Sequence, residues 1–246
     1  MNKLIGISTS CLYYWVPQKD WVTEQLGIIT LLRNYVSRVE LYLTAEDILT
    51  FGTVHFEQYR EATEGLSLSL HLPSLSQESF QLATIFEKIV ELMKKLNIEY
   101  VVWHSDDFAN TEIKVGEILP TFKFGLENSD IRKFGFQHLK DISLLGTYPI
   151  ILDIDHIEEL KKNSLNGEIA ELKNKILGIH FSTPTSVYFQ NHINLPTTHF
   201  PFSRSGNNPP KILPKNTPIV IEGLFPNLEY KLIEEEVALV KKIYFS

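Results

Sequence analysis

Cysteine is nearly absent from this chain, which has a single one, Cys11, among 246 residues. One cysteine cannot build a disulfide framework within the chain, and it excludes zinc knuckles made of several thiolates. The N-terminal segment has only a short apolar run and turns polar at residues 8–10, which is typical of a first strand rather than of a signal peptide. We therefore predict a cytoplasmic protein.

Positive charge and long apolar runs are also scarce. The 23 Lys and Arg residues against 30 Asp and Glu residues give a formal net charge of −7. No basic excess is present to replace counterions along a nucleic acid, although a local basic cleft is compatible with this balance. No segment approaches the roughly 18 consecutive apolar residues of a membrane span, so we expect no membrane partner.

Eight short, β-rich apolar segments recur along the chain, and most of them end in a polar or ionisable residue. They cover residues 3–8, 38–43, 66–72, 99–104, 122–127, 149–153, 176–181 and 218–222. Near-continuous apolar runs of this length are typical of strands buried on both faces, as in a parallel sheet covered by helices.

Helical patterns lie between several of these segments. They cover residues 20–36, 77–96, 130–145, 157–175 and 228–244. The alternation of strand and helix patterns continues without a break in composition, which predicts one domain over residues 1–246. We predict that this α/β chain folds as a single (β/α)8 TIM barrel. We expect a reduced helix after strand 4 and a long loop after strand 7. A doubly wound open sheet is the alternative, but the turn after the first strand has only one glycine, Gly6.

Ionisable residues stand at or near the ends of predicted strands 3 to 8. They are His71, His104, Glu127, Asp153, His180 and Glu222. In a closed parallel barrel these ends meet at one face. A cluster of His, Asp and Glu without Cys suits a divalent cation, and a cation offsets the cost of burying carboxylates. Any one of these histidines taken alone is more often structural, but six such residues at successive strand ends indicate a metal site.

Three acids near these residues have no assigned metal role. Glu40 lies inside the second predicted strand and is interpreted as a buried acid with a partner. Asp106 and Asp107 follow His104, where they either orient its imidazole or form a solvated loop pair.

The chain resembles the xylose isomerase-like barrel superfamily, which contains sugar isomerases and epimerases and also endonuclease IV. The segments that carry the resemblance are Leu126-Glu127-Asn128, Asp153-Ile154-Asp155-His156, His180 and Glu222-Gly223. The resemblance implies one catalytic metal ion held by Glu127, Asp153, His180 and Glu222. It also implies that His156 binds substrate or an additional metal ion.

The resemblance extends to the metal ligands of endonuclease IV, a member of AP endonuclease family 2. His71 and His104 match the histidines that bind a second metal ion there together with the position of Glu127, and His199 matches one ligand of a third. The aspartate expected two residues before that last histidine is Thr197 here.

The chain also differs from the isomerases and epimerases of the superfamily. Keto-sugar epimerases of the superfamily commonly carry an arginine shortly after the strand-7 histidine, and residues 182–186 of this chain contain none. Arg204 in the long loop and Trp15 after the first strand are the remaining candidates for substrate contact.

Two enzymatic functions follow from these residues. The first is a divalent-metal-dependent sugar or sugar-phosphate-like isomerase or epimerase, in which Glu127 and Glu222 move a proton through a metal-stabilised enediolate. The alternative is a multinuclear zinc phosphodiesterase acting on abasic DNA or a related phosphodiester, and only this function needs a nucleic acid. A barrel that binds a metal without turnover is the non-enzymatic alternative.

The implied cofactor is a divalent ion, Zn²⁺ or Mn²⁺ in preference to Mg²⁺, Co²⁺ or Fe²⁺. The implied partner is a small carbohydrate. The sequence does not set the oligomeric state, and a homodimer is compatible with it.

Overall fold

Eight parallel strands close into a barrel in which each strand pairs with the next and the last pairs with the first. The computed structural model describes residues 4–13, 20–74, 82–110, 123–128, 148–156, 165–182, 201, 203, 216–223 and 230–245. The strands are β1 (Ile5–Ser8), β2 (Arg38–Tyr42), β3 (Ser67–His71), β4 (Ile98–His104), β5 (Phe124–Glu127), β6 (Ile150–Asp153), β7 (Ile176–Phe181) and β8 (Ile219–Ile221). The predicted α/β barrel is therefore confirmed.

The described helices lie between successive strands and after β8. They are α1 (Ser10–Tyr13), α2 (Trp21–Leu32), α3 (Ala45–Thr50), α4 (Thr53–Ala62), α5 (Leu82–Leu96), α6 (Ser105–Asn110), α7 (Leu165–Leu172) and α8 (Tyr230–Tyr244). None of the helices in these ranges combines the length and the apolar composition that a membrane crossing needs.

The sequence pattern predicts no helix between β2 and β3, but the structure has α3 and α4 there. Both helices are short and bury few side chains, so they lack the repeated apolar spacing that identifies a longer helix. Local capping begins α3 instead. Thr44 Oγ1 accepts a hydrogen bond from the backbone N–H of Asp47, and Asp47 Oδ2 accepts one from the backbone N–H of Thr44.

Several other predictions fall on residues outside the described part of the chain. The helix expected over 130–145 lies there entirely, as do residues 157–164 of the expected helix that includes α7. Most of the loop expected after strand 7 also lies there. After β4 the structure has the six-residue helix α6, and residues 111–122 that follow it are outside the described ranges.

Helix α5 shows how the helices cover the barrel. Its buried residues recur every three or four positions and are Ile85, Phe86, Ile89, Leu92, Met93 and Leu96. Burial of each such side chain contributes about 1.5–3 kcal/mol relative to exposure. On the opposite face, Glu91 pairs with Lys88 at 2.9 Å and with Lys95 at 2.7 Å. The amphipathic pattern therefore places α5 against the sheet.

The barrel interior is partly polar. Glu40 on β2 lies 3.2 Å from His180 on β7. These two strands are not paired, so both side chains point into the barrel, and the alternation along β2 places Arg38 inside as well. Arg38 pairs with Glu99, and its guanidinium lies 5.4 Å from the ring centroid of Tyr100.

Candidate metal centre

Four buried side chains converge at the barrel mouth, by which we mean the end formed by the carboxyl ends of the strands. Glu127 and Asp153 end β5 and β6, His180 is the penultimate residue of β7, and Glu222 directly follows β8. Each offers one ligand atom, and these four atoms all lie within 4.8 Å of one another. The structure thus brings together the four residues that the resemblance implies as ligands of one ion. Barrel closure is the reason, because it places β5 to β8 side by side.

The Nδ1 atom of His180 lies among the carboxylates. It is 2.7 Å from Oε1 of Glu127 and 3.1 Å from Oε2 of Glu222. The exposed fractions of Glu127, His180 and Glu222 are 0%, 1% and 6%. Nδ1 is therefore the nitrogen of His180 that is available to an ion bound among these groups.

Asp153 presents one oxygen to the same centre. Its Oδ1 accepts hydrogen bonds from the backbone N–H groups of Asp155 at 2.7 Å and His156 at 3.3 Å. Its Oδ2 is buried and accepts no hydrogen bond from the described residues. Nδ1 of His156 lies 3.2 Å from Oδ2 but donates instead to the backbone oxygen of Asn128 at 2.8 Å. An orphaned, buried carboxylate oxygen fits a position reserved for a cation.

His71 and His104 form a second cluster with Glu127. Their Nε2 atoms lie 3.1 Å and 3.2 Å from Oε2 of Glu127, and the ligand atoms of all three residues lie within 4.8 Å of one another. Because Oε1 of Glu127 contacts His180, this carboxylate directs one oxygen to each cluster. His71 also forms a ligand group with His180 and Glu222. The structure therefore places His71 and His104 directly beside the four-residue centre.

Each of these imidazoles has a further polar neighbour at its other ring nitrogen. Nδ1 of His71 donates a hydrogen bond to the backbone oxygen of Leu72 at 2.9 Å. Nδ1 of His104 lies 3.6 Å from Oδ2 of Asp107 and Nε2 of His180 lies 3.2 Å from Oε1 of Glu40, in both cases as a charge contact and not as a hydrogen bond. Metal-binding histidines almost always direct their second nitrogen to a carbonyl, a carboxylate or water, which fixes the tautomer and the ring orientation. The arrangement of the three rings is thus typical of ligands.

Asn128 is a structural residue of the site to which the sequence reasoning gave no role. Its Nδ2 donates to the backbone oxygen of Asp153 at 2.9 Å, and its Oδ1 accepts from the backbone N–H of Asp153 at 2.7 Å. These two bonds join the end of β5 to the end of β6. The signal in the sequence was an asparagine directly after Glu127, inside a segment already noted for its resemblance.

The carboxyl groups have strongly perturbed pKa values. Burial raises the pKa of Asp153, and the neighbouring Glu127 and Glu222 raise it further. Burial acts in the same direction on Glu222, but His180 outweighs it and lowers the pKa of Glu222 to about 2. The pKa of Glu127 also lies well below its usual range, because its contacts with His180, His104 and His71 outweigh burial.

The histidines show the complementary shift. Burial favours their neutral form, but the nearby carboxylates outweigh it. The pKa of His180 is raised by Glu222, Glu40 and Glu127, and the pKa of His71 is raised by its hydrogen bond to Glu127. Asp107 and Glu127 together raise the pKa of His104 to about 10. The positive charge of the protonated imidazoles therefore offsets the negative charge of the carboxylates, and the charge of a divalent ion would offset it in the same way.

Of the other predicted site residues, His156 lies in the described part of the chain and the rest do not. His156 is buried beside Asp153 at the mouth. His199, Arg204 and Trp15 lie outside the described residues. Their assigned roles remain predictions from the sequence.

Solved structures share the fold of this chain, whereas no protein-family model and no curated protein sequence matches it. D-psicose 3-epimerase, crystallised in the presence of D-fructose, matches with a TM-score of 0.64 and 12% sequence identity, covering 97% of this chain and 98% of that chain. An uncharacterised protein from Parabacteroides distasonis matches with a TM-score of 0.58 and 12% identity, covering 98% and 99%. At this identity the likeness concerns the fold, which is the barrel fold that the resemblance implied.

Proposed function

We propose that this protein is a divalent-metal-dependent isomerase or epimerase of a sugar or a sugar-phosphate-like substrate. The observation that carries the proposal is the set of four buried ligand atoms within 4.8 Å of one another at the barrel mouth. The fold shared with D-psicose 3-epimerase over nearly the whole of both chains supports a carbohydrate as the substrate class.

Glu127, Asp153, His180 and Glu222 would hold the ion. Three carboxylates and one imidazole suit Mn²⁺ or Zn²⁺, and the orphaned Oδ2 of Asp153 fits the same assignment. When bound, such an ion polarises a substrate carbonyl and makes the neighbouring C–H more acidic. The second polar neighbour of each imidazole supports ligand roles, because it leaves the nitrogen that faces the carboxylates as the one that would bind the ion.

Glu127 and Glu222 are the proposed proton-transfer pair. Both carboxylates contact Nδ1 of His180, so they flank the same point of the mouth. One takes the proton from the substrate carbon beside the carbonyl, and the other returns a proton to the substrate. Glu222 is the more exposed of the two, whereas both oxygens of Glu127 already contact imidazoles.

A multinuclear phosphodiesterase is the second candidate, and the cluster of His71, His104 and Glu127 favours it. A mononuclear isomerase does not need these two histidines as ligands, whereas a carboxylate that directs one oxygen to each cluster suits a pair of ions. Two such ions stabilise the attacking and the leaving oxygen of a phosphodiester. The net charge of −7 gives this candidate no general attraction for nucleic acid.

The test combines metal analysis with two activity assays. We expect the purified protein to bind Mn²⁺ or Zn²⁺ and to exchange the α-hydrogen of a ketose or ketose phosphate with D₂O, as measured by NMR. Glu127→Gln and Glu222→Gln should each abolish this exchange. Glu236→Gln is the matched control, because it makes the same change at a fully buried glutamate on α8.

The outcomes separate the two functions. Exchange that continues undiminished in both glutamate variants contradicts the isomerase mechanism. More than one zinc ion per chain, together with cleavage of abasic DNA, favours the phosphodiesterase. Failure to bind any divalent ion rejects both.

A further inference from the structure

Glu40 is a fully buried acid in the barrel interior that the proposed reaction does not use. It belongs to β2, which is three strands away from β7 in the closed strand order. Ser69 Oγ on β3 donates a hydrogen bond to Oε2 of Glu40 at 2.9 Å. Its other oxygen, Oε1, lies 3.2 Å from Nε2 of His180. Ser69 therefore fixes the carboxylate so that its second oxygen meets the imidazole.

The two nitrogens of His180 have different surroundings. Nδ1 lies among the carboxylates of the metal centre, and Nε2 points into the barrel toward Glu40. Both Nε2 of His180 and Oε1 of Glu40 are buried, and neither makes a hydrogen bond with a described residue, so the 3.2 Å ion-pair contact between them is the only one of either atom in the described part of the chain. A neutral imidazole carries one proton, and its other nitrogen then has the lone pair that binds a metal. A carboxylate beside Nε2 favours the tautomer with the proton there.

We propose that Glu40 is a positioning residue of the metal centre, which keeps the proton of His180 on Nε2 and thereby directs the lone pair of Nδ1 toward the ion. This inference rests on the proposed metal site. It gives a reason for burying an acid on β2, a strand that carries none of the four proposed ligands. A carboxylate in this position also makes the imidazole a stronger ligand.

The first test measures the affinity for Zn²⁺ by competition with a chromophoric chelator. Glu40→Leu removes the acceptor, and we expect Zn²⁺ to bind about 10- to 100-fold more weakly than to the native chain. Glu40→Gln retains an oxygen that can accept the Nε2 proton, so it should recover most of that loss. Glu236→Gln should bind as the native chain does, and circular dichroism establishes that each variant is folded.

The second test needs no variant of Glu40. In the Zn²⁺-loaded native protein with ¹⁵N-labelled histidine, long-range ¹H–¹⁵N NMR should show the His180 proton on Nε2, and His180→Asn identifies the resonance. A proton on Nδ1 overturns the proposal. It is also overturned if Glu40→Leu binds Zn²⁺ as tightly as the native chain, or if Glu40→Gln loses as much affinity as Glu40→Leu. Native protein that binds no divalent ion refutes the metal site itself, which is a different result.

Discussion

Binding of a divalent ion to the metal centre should release protons. Burial favours the neutral form of His180, but Glu222, Glu40 and Glu127 outweigh it and raise its pKa well above the usual value, so without an ion the imidazole keeps its second proton to higher pH than a free imidazole does. Burial and the adjacent glutamates raise the pKa of Asp153 well above its usual value, so its carboxyl group also keeps a proton to higher pH than usual. Both groups must lose these protons to act as ligands. We therefore expect ion binding to release protons from His180, from Asp153 or from both, which is at most about two protons per ion.

The sign of the pH dependence follows from these shifts. A group with a raised pKa remains protonated to higher pH, so its proton competes with the ion until the pH exceeds that pKa. Each proton released makes the affinity about ten-fold tighter per pH unit, which is about 1.4 kcal/mol. Between pH 6 and pH 8 the affinity should thus rise by about 100-fold for one proton and by more for two.

Isothermal titration calorimetry measures the proton count directly. Titrations of the chelator-treated protein with Mn²⁺ or Zn²⁺ in buffers of different ionisation enthalpy give the number of protons released per ion. Glu236→Gln is the control, since this buried glutamate lies on α8 outside both clusters and should not change the count. A proton count of zero with a flat affinity from pH 6 to pH 8 would refute the raised pKa values of His180 and Asp153.

Three further predictions concern stability and the support of the site. Loading with Zn²⁺ at 100 times its Kd should stabilise the fold by about 2.7 kcal/mol. The midpoint of thermal unfolding should then lie several degrees above that of the chelator-treated protein, and equal midpoints would contradict specific binding. Gly6→Ala should lower the free energy of unfolding by about 1–3 kcal/mol in urea titrations, because the added Cβ would lie 2.8 Å from Cγ of Arg38. Gly27→Ala is the control: its Cβ meets nothing within 4 Å, so this change should be neutral or stabilising. Asn128→Ala removes both hydrogen bonds to the backbone of Asp153, so metal affinity should fall together with about 1–3 kcal/mol of stability, and an unchanged affinity would argue against this support.

The order of the barrel strands could be read from the sequence because strands buried on both faces are almost continuously apolar. The segment predicted at 176–181 coincides with β7, and the other predicted strands differ from the structure by one or two residues at their ends. The periodicity of α5 was equally readable. In contrast, α3 and α4 bury too few residues to produce a pattern, and a local cap together with their packing positions them.

The candidate ligands could also be found without coordinates. A buried strand ends where its apolar run stops, and in a parallel barrel all such ends share one mouth. An ionisable residue at that point, as at Glu127 or Asp153, is therefore directed toward the others before any distance is known. This rule identifies members of the cluster, but it says nothing about which of their atoms meet.

The contacts between the residues of the cluster depend on barrel closure. Register and side-chain rotamers direct the two oxygens of Glu127 to two different clusters. They also allow Asn128 to join two strand ends and place Glu40 beside His180. β2 and β7 become neighbours across the interior only when β1 pairs with β8. Apolar patterning specifies which residues are buried, but a contact across the interior requires the three-dimensional distances that the closed, twisted sheet sets.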